Sequence, residues 1–259
     1  MYKKIIFFTV VLALFLGAGF VFAETTGIEV MKDVYYRPSG EDMEAELIMT
    51  LVNSRGSTRE RTIKQFKLDT GKVEKKLMFF LAPADVRDTS FMSWSYDDDR
   101  EDDQWIYLPA LGRVKRITSD SKNDRFMGSD FTYDDLGERH PSEDTHTILR
   151  EEKLEGESCY VVESVPVNDE PYSKTVHWII KDKNIGLKKN YYDKDGNIYK
   201  RLIIDEFKKI DGYWVITDMT MADLARNHST RLKMENVSFD NGLSESFFSE
   251  RQMKRGPRR

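Results

Sequence analysis

The chain of 259 residues holds a single cysteine, Cys159, which excludes an internal disulfide framework and any zinc site built on several thiolates. Histidine is also sparse. His140, His146, His177 and His228 are widely spaced, and none belongs to a His-Glu-x-x-His pattern. A Gly-x-Ser-x-Gly nucleophile elbow and a phosphate-cradling glycine loop are both missing. Ser129 lies next to Asp130 with no identifiable base, so no catalytic residue is assigned, and no metal or cofactor is expected. Nor is there a basic excess: 40 Lys and Arg against 45 Asp and Glu give a net charge of −5, the wrong sign for a nucleic-acid binder. Beyond residue 22 no apolar run is long enough to cross a bilayer, and no repeat or Gly/Ser linker divides the chain.

What is present is a leader followed by material for one core. Lys3 and Lys4 precede an almost wholly apolar stretch from Ile5 to Phe22, and Ala23 supplies a small residue before Glu24. Residues 1–23 therefore read as a cleavable signal peptide. An uncleaved anchor is the alternative, since the stretch is about long enough to span a membrane. No cysteine follows the cleavage point, so the exported protein is not expected to carry an N-terminal lipid. Residues 24–259 keep 38 basic and 45 acidic residues, a charge of −7. With 39% hydrophobic residues, 12% aromatics and 11 Met, this part is expected to fold as a single domain with a short basic C-terminal tail. Cys159 is expected to be buried in a strand over Ser158 to Glu163.

Periodicity points to a mainly β (α+β) fold. Thr26 can cap a short helix in which Ile28, Met31, Val34 and Tyr35 share a face, and Pro38-Ser39-Gly40 stops it. The period then switches to two. Ala45, Leu47, Met49 and Leu51 alternate with Glu44, Glu46, Ile48 and Thr50, and Leu77 to Leu81 is continuously apolar. Trp105 and Tyr107 oppose Ile106 and Leu108, while Val176, Trp178 and Ile180 oppose Thr175, His177 and Ile179. Asp195-Gly196 and Asp211-Gly212 are hairpin signals. About ten strands are expected, at a spacing that suits a barrel or a strongly curved antiparallel sheet. Helices are expected at the N-terminus, over Phe131 to Gly137 and in the last dozen residues.

Several strands are apolar on both faces, which leaves two readings. One face packs a helix and the other carries ordinary exposed aromatics, or one face lines an apolar cavity for a small ligand. The acidic run Asp97 to Asp103 reads as a solvated hairpin tip. It has hard oxygen ligands for Ca²⁺ but lacks the spacing and glycine of an EF-hand loop.

The segments Asp103-Gln104-Trp105-Ile106-Tyr107-Leu108-Pro109 and Arg113-Val114-Lys115-Arg116-Ile117 resemble paired strands of the outer-membrane lipoprotein-sorting protein family. Phe126-Met127-Gly128-Ser129-Asp130-Phe131-Thr132-Tyr133-Asp134-Asp135-Leu136 is similar to its most distinctive stretch. Asn53 to Gly56, Phe79 to Pro83 and Phe247-Phe248 fall in the family's order, so the resemblance covers about residues 27 to 253. It implies a fold related to the LolA and LolB carriers: an incomplete antiparallel barrel around a few helices that lid a hydrophobic cavity. It implies a periplasmic, monomeric carrier of lipoprotein acyl chains or phospholipid, served by an inner-membrane donor transporter and an outer-membrane acceptor. The well-known carriers open their lid with an arginine; Arg55, Arg59 and Arg61 are candidates, and none is assigned. Two other functions stay open, a lipid-acting hydrolase in the same cavity, Ca²⁺-assisted or not, and a partner protein that docks a membrane transporter.

A 16-carbon acyl chain gains about 0.8 kcal/mol per methylene on leaving water, about 12 kcal/mol in all, so crossing an aqueous gap unaided is very slow. Met49, Leu51, Trp94, Trp105, Tyr107, Trp178 and Leu202 are the expected cavity lining, on the assumption that alternation assigns them to the concave face. The stretch from Gly128 to Leu136 is either a turn fastened to the sheet by Phe131 and Leu136, or a mobile lip whose Phe126, Met127 and Phe131 touch ligand.

Overall fold

The computed structural model of the protein describes residues 25–98 and 100–257. The leader expected over residues 1–23 lies outside the described residues, as do Asp99 of the acidic run and Arg258 and Arg259 of the tail. Helix α1 (Gly27–Tyr35) forms where its start signal stands. The Glu29 backbone N–H donates to the Thr26 hydroxyl, and the Glu29 carboxylate accepts from the Thr26 backbone N–H at 2.8 Å, a complete capping box. Gly27 is demanded by packing, because a Cβ there would lie 2.7 Å from the His146 backbone.

The strands are β1 (Asp42–Val52), β2 (Thr58–Asp69), β3 (Val73–Ala82), β4 (Ser90–Tyr96), β5 (Asp103–Leu108), β6 (Arg113–Arg116) and β7 (Asp144–Leu154). They continue with β8 (Glu157–Pro166), β9 (Lys174–Ile180), β10 (Ile185–Tyr192), β11 (Ile198–Ile210), β12 (Tyr213–Asp223) and β13 (His228–Phe239). All belong to one antiparallel sheet of order β6-β5-β4-β3-β2-β1-β13-β12-β11-β10-β9-β8-β7. Each half is a meander, and pairing of β1 with β13 joins the halves. The ends do not pair, so the barrel stays open. Strands β6 and β7, consecutive in the chain, become opposite edges, and residues 117–143 must travel between them.

The Asp211-Gly212 signal marks a two-residue turn with φ of 50° and 93° at the two positions. At Asp195-Gly196 only the glycine has positive φ, and the Asp193 carboxylate completes a longer turn by accepting from the backbone N–H groups of Asp195 and Asn197. Thirteen strands stand among the described residues, where about ten were expected. Strand β7 escaped notice because it is an edge, with Arg150, Glu151, Glu152 and Lys153 in place of alternating apolar residues. The expected helix over Phe131 to Gly137 is instead a single 3₁₀ turn at Asp134–Leu136, preceded by another at Phe126–Gly128. At the C-terminus helix α2 (Glu250–Arg255) does form.

Register shifts at Glu44/Glu46, Ile148/Arg150, Gly186/Lys188 and Ile204/Glu206 insert extra residues and bend the sheet. On the concave face Leu47, Met49, Ile63, Phe80, Phe91, Met221 and Leu232 form one core with Phe126, Phe131 and Leu136 of the crossing segment. On the outer face Phe66, Leu77, Phe79 and Met92 are covered by Phe248 and Met253 of the C-terminal segment. Cys159 is fully buried in β8, in a further outer-face cluster with Val161, Trp178 and Ile180.

Candidate functional site

The crossing segment 117–143 is a strap over the hollow of the sheet. Its tip is a tight loop. The Phe126 backbone N–H donates to the Phe131 carbonyl at 2.8 Å, with Met127 and Gly128 at φ of 50° and 75°. A positive φ at both positions explains the glycine and strains any bulky residue placed there. Phe126 is wholly buried, with ring centroids 5.2 Å from Phe91, 5.5 Å from Tyr133 and 5.8 Å from Phe80. Ser129 does not cap a helix. Its hydroxyl turns back on Phe131.

Polar pegs hold the strap along the whole curve. Arg61 of β2 donates to the Met127 carbonyl at 2.6 Å, Lys76 of β3 to the Leu136 carbonyl at 3.1 Å, and Gln104 of β5 to the Tyr133 carbonyl at 2.8 Å. The buried Asp130 carboxylate accepts from Thr230 of β13 at 2.7 Å, lies 2.6 Å from His228 Nδ1, and pairs with Arg125 at 3.2 Å. Asp135 pairs with Lys200 of β11 and accepts from the Tyr191 hydroxyl of β10 at 2.9 Å. Burial alone would raise the Asp135 carboxyl, but the Lys200 ammonium outweighs it and holds the group below the usual carboxylate range. At Gly137 the strap runs so close to Asp102 that a Cβ would lie 2.1 Å from its carboxylate.

Beside the strap a cleft of about 370 Å³ remains between α1, residues 138–141 and residues of β9 to β12. Its apolar wall includes Met31, Val34, Ile179, Leu202, Ile204 and Ile216. The polar lining comprises Arg37, Glu138, Arg139, His146, His177 and Lys189, among others. Burial, reinforced by the neighbouring Lys189, holds His177 well below its ordinary pKa, so it is neutral at pH 7. Burial also lowers the Lys189 ammonium. Glu138, on the rim, is raised to about 7 by burial and by the nearby Glu74 carboxylate.

The expected lining residues do not share a face. Met49, Leu51, Phe126 and Phe131 are buried in the concave core, with Met127 and Leu202 packed against it; of the ten candidates only Leu202 also lines the cleft. Trp94, Trp105 and Tyr107 lie on the opposite face, against the C-terminal segment, and Trp178 is in the outer cluster with Cys159. The register explains this correction. Leu202 pairs with Lys189, which pairs with His177, so Trp178 must point the other way. Alternation separates two faces without saying which is enclosed. The sequence reading missed Lys189, Ile179, Ile204 and α1 as cleft walls; the Lys189-His177 polar break in an apolar pattern was the available signal.

The acidic run is not a uniform solvated tip. Asp98 pairs with Arg100 at 2.8 Å, whereas Asp102 accepts from the Ser95 hydroxyl at 2.7 Å and from the Glu138 backbone N–H at 3.1 Å. Among the described residues no group of three or more His, Cys, Asp or Glu could hold a metal ion.

The open antiparallel half-barrel is a fold shared with the LolA superfamily. A member from Nitrosomonas europaea superposes with a TM-score of 0.69 at 16% identity, over 88% of this chain and 100% of that one. Two further structures are more similar, each with a TM-score of 0.83 over 88% of this chain. A DUF1329 family protein from Desulfovibrio piger is 31% identical and is covered over 97% of its length. A proposed outer membrane lipoprotein-sorting protein domain from Vibrio parahaemolyticus is 34% identical and covered over 98%. A family model described as "uncharacterized protein" matches residues 72–255. The chain belongs to the DUF1329 family and is similar to an outer membrane lipoprotein-sorting protein domain. No curated protein matches it.

Proposed function

We propose that the protein is a periplasmic, non-catalytic carrier that shelters acylated ligands, lipoproteins or other lipids, between the inner and outer membranes. The cleft beside the strap carries this reading. It has an apolar wall on the concave face, its volume is at the small end of the range for ligand pockets, and the hydroxyls bonded to its histidines, Ser164 to His146 and Thr175 to His177, are buried. The similarity to the Vibrio domain, with its lipoprotein-sorting description, supports the direction of transport. The strap already fills the rest of the hollow, so the cleft as it stands takes one acyl chain. Met49, Leu51, Phe126, Met127 and Phe131 would meet ligand only when the strap lifts, and a multiply acylated lipoprotein requires that movement.

Protein purified without detergent and examined by native mass spectrometry is expected to retain a lipid and to bind fluorescent fatty-acid probes. Apo protein that ignores such probes would overturn the reading. Incubation with phospholipid, with and without Ca²⁺, separates carrier from hydrolase: release of free fatty acid would require an enzyme.

A further inference from the structure

The cleft's charges are unevenly matched. Arg139 is answered by Asp144 at 2.9 Å and Glu170 at 3.0 Å, and outside the cleft Asp135 is taken by Lys200. Those pairs use up Asp135 and Asp144, the two carboxylates whose fields reach Lys189 most strongly. Among the described residues Lys189 makes no ion pair. Its ammonium lies 4.6 Å from the Tyr191 ring, and His177 is its cross-strand neighbour. Arg37, where the chain leaves α1, lines the same cleft and, among the described residues, also makes no ion pair. One of its nitrogens donates to the Asn184 carbonyl at 2.8 Å, and its buried Nε has no partner. An unpaired cation at the edge of an apolar wall is costly unless something anionic joins it. Glu138 at the rim reaches Arg37 through its field but forms no ion pair with it, and its carboxylate lies 4.0 Å from Lys76.

We propose that the cleft binds a single-chain amphiphile with an anionic head group, its tail along Ile179, Leu202, Ile204 and Ile216 and its charge met by Lys189 and Arg37. This deepens the carrier reading and rests on it. The shared chemistry is a carboxylate or phosphate on one acyl chain. A neutral glyceride lacks the charge, and a free anion lacks the tail.

The test is equilibrium binding of four probes to the full exported chain: oleate, oleoyl lysophosphatidic acid, neutral monooleoylglycerol and inorganic phosphate. At least one anionic lipid is expected to bind tenfold or more tightly than the neutral one, with phosphate neither binding nor competing. Which of oleate and the lysophospholipid leads identifies the head group. Lys189→Met and Arg37→Met should each erode the anionic preference at least fivefold while leaving monooleoylglycerol within twofold, and Lys189→Arg should restore it. Unchanged circular dichroism and unchanged neutral-lipid binding show that the variants fold. Equal affinity for charged and neutral lipids, or a preference that survives both Met variants, would overturn the head-group assignment and leave the carrier reading standing. If none of the lipids binds, both fall.

Discussion

Replacing Lys200 by Met tests whether the strap is held by a buried ion pair. Lys200 and Asp135 are both nearly inaccessible, with side chains 8% and 10% exposed. Removing one partner of a buried pair costs about 3–5 kcal/mol, because the other charge is left in a poor solvent. Here the lower end applies, about 3 kcal/mol. Asp135 would keep the Tyr191 hydroxyl at 2.9 Å and the Thr132 backbone N–H and hydroxyl at 2.7 and 2.9 Å. Asp135→Asn should cost a similar amount by stranding Lys200. In the double variant neither charge remains, and the single amide oxygen can still accept from Thr132 or from Tyr191, so the loss should fall at least about 2 kcal/mol short of the sum of the singles. Urea unfolding of the four proteins gives this coupling directly. The pH dependence has a definite sign. The folded-state pKa of Asp135 lies below its unfolded value, so its contribution is present above that unfolded value and fades as pH falls. The gap between wild type and Lys200→Met should therefore narrow in acid. A coupling below about 0.5 kcal/mol, or a gap independent of pH, would refute the account of how the strap is held.

Phe126→Ala removes a fully buried ring packed on Phe80 and Phe91 and should cost about 3–5 kcal/mol by denaturant unfolding. It should also speed hydrogen exchange at the strap amides, where a mere surface turn would show no change. Glu138→Gln isolates a second pH effect: with a folded value of about 7, the wild-type carboxyl contributes most at low pH and loses that contribution as pH rises from about 4.5 through 7. The melting temperature of wild type relative to the variant should fall across that window. The buried Cys159 thiol, its pKa raised by desolvation, should resist thiol reagents in the folded protein and react on unfolding.

The elements were largely legible in the chain because their causes are local. Thr26 and Glu29 cap a helix wherever they occur at that spacing, and Asp211-Gly212 turns a hairpin because both residues tolerate positive φ. The alternation of β1 likewise divided Leu47, Met49 and Leu51 from Glu44 and Glu46 correctly. The lining was less legible. Trp94, Trp105 and Trp178 have the bulk of cavity residues, yet they sit on the outer face, two of them under a C-terminal segment far away in sequence.

Thus period, caps and turn residues in the sequence alone determined a mainly antiparallel sheet with a short leading helix. Tertiary structure alone decided which face is enclosed. That choice depends on β1 meeting β13, on bulges that set the bend, and on a strap drawn across by the separation of β6 from β7. The same geometry set Lys189 and Arg37, 152 positions apart, beside one cleft, with no ion pair to either among the described residues. No local pattern records such a meeting, because it arises from long-range pairing rather than from neighbours along the chain.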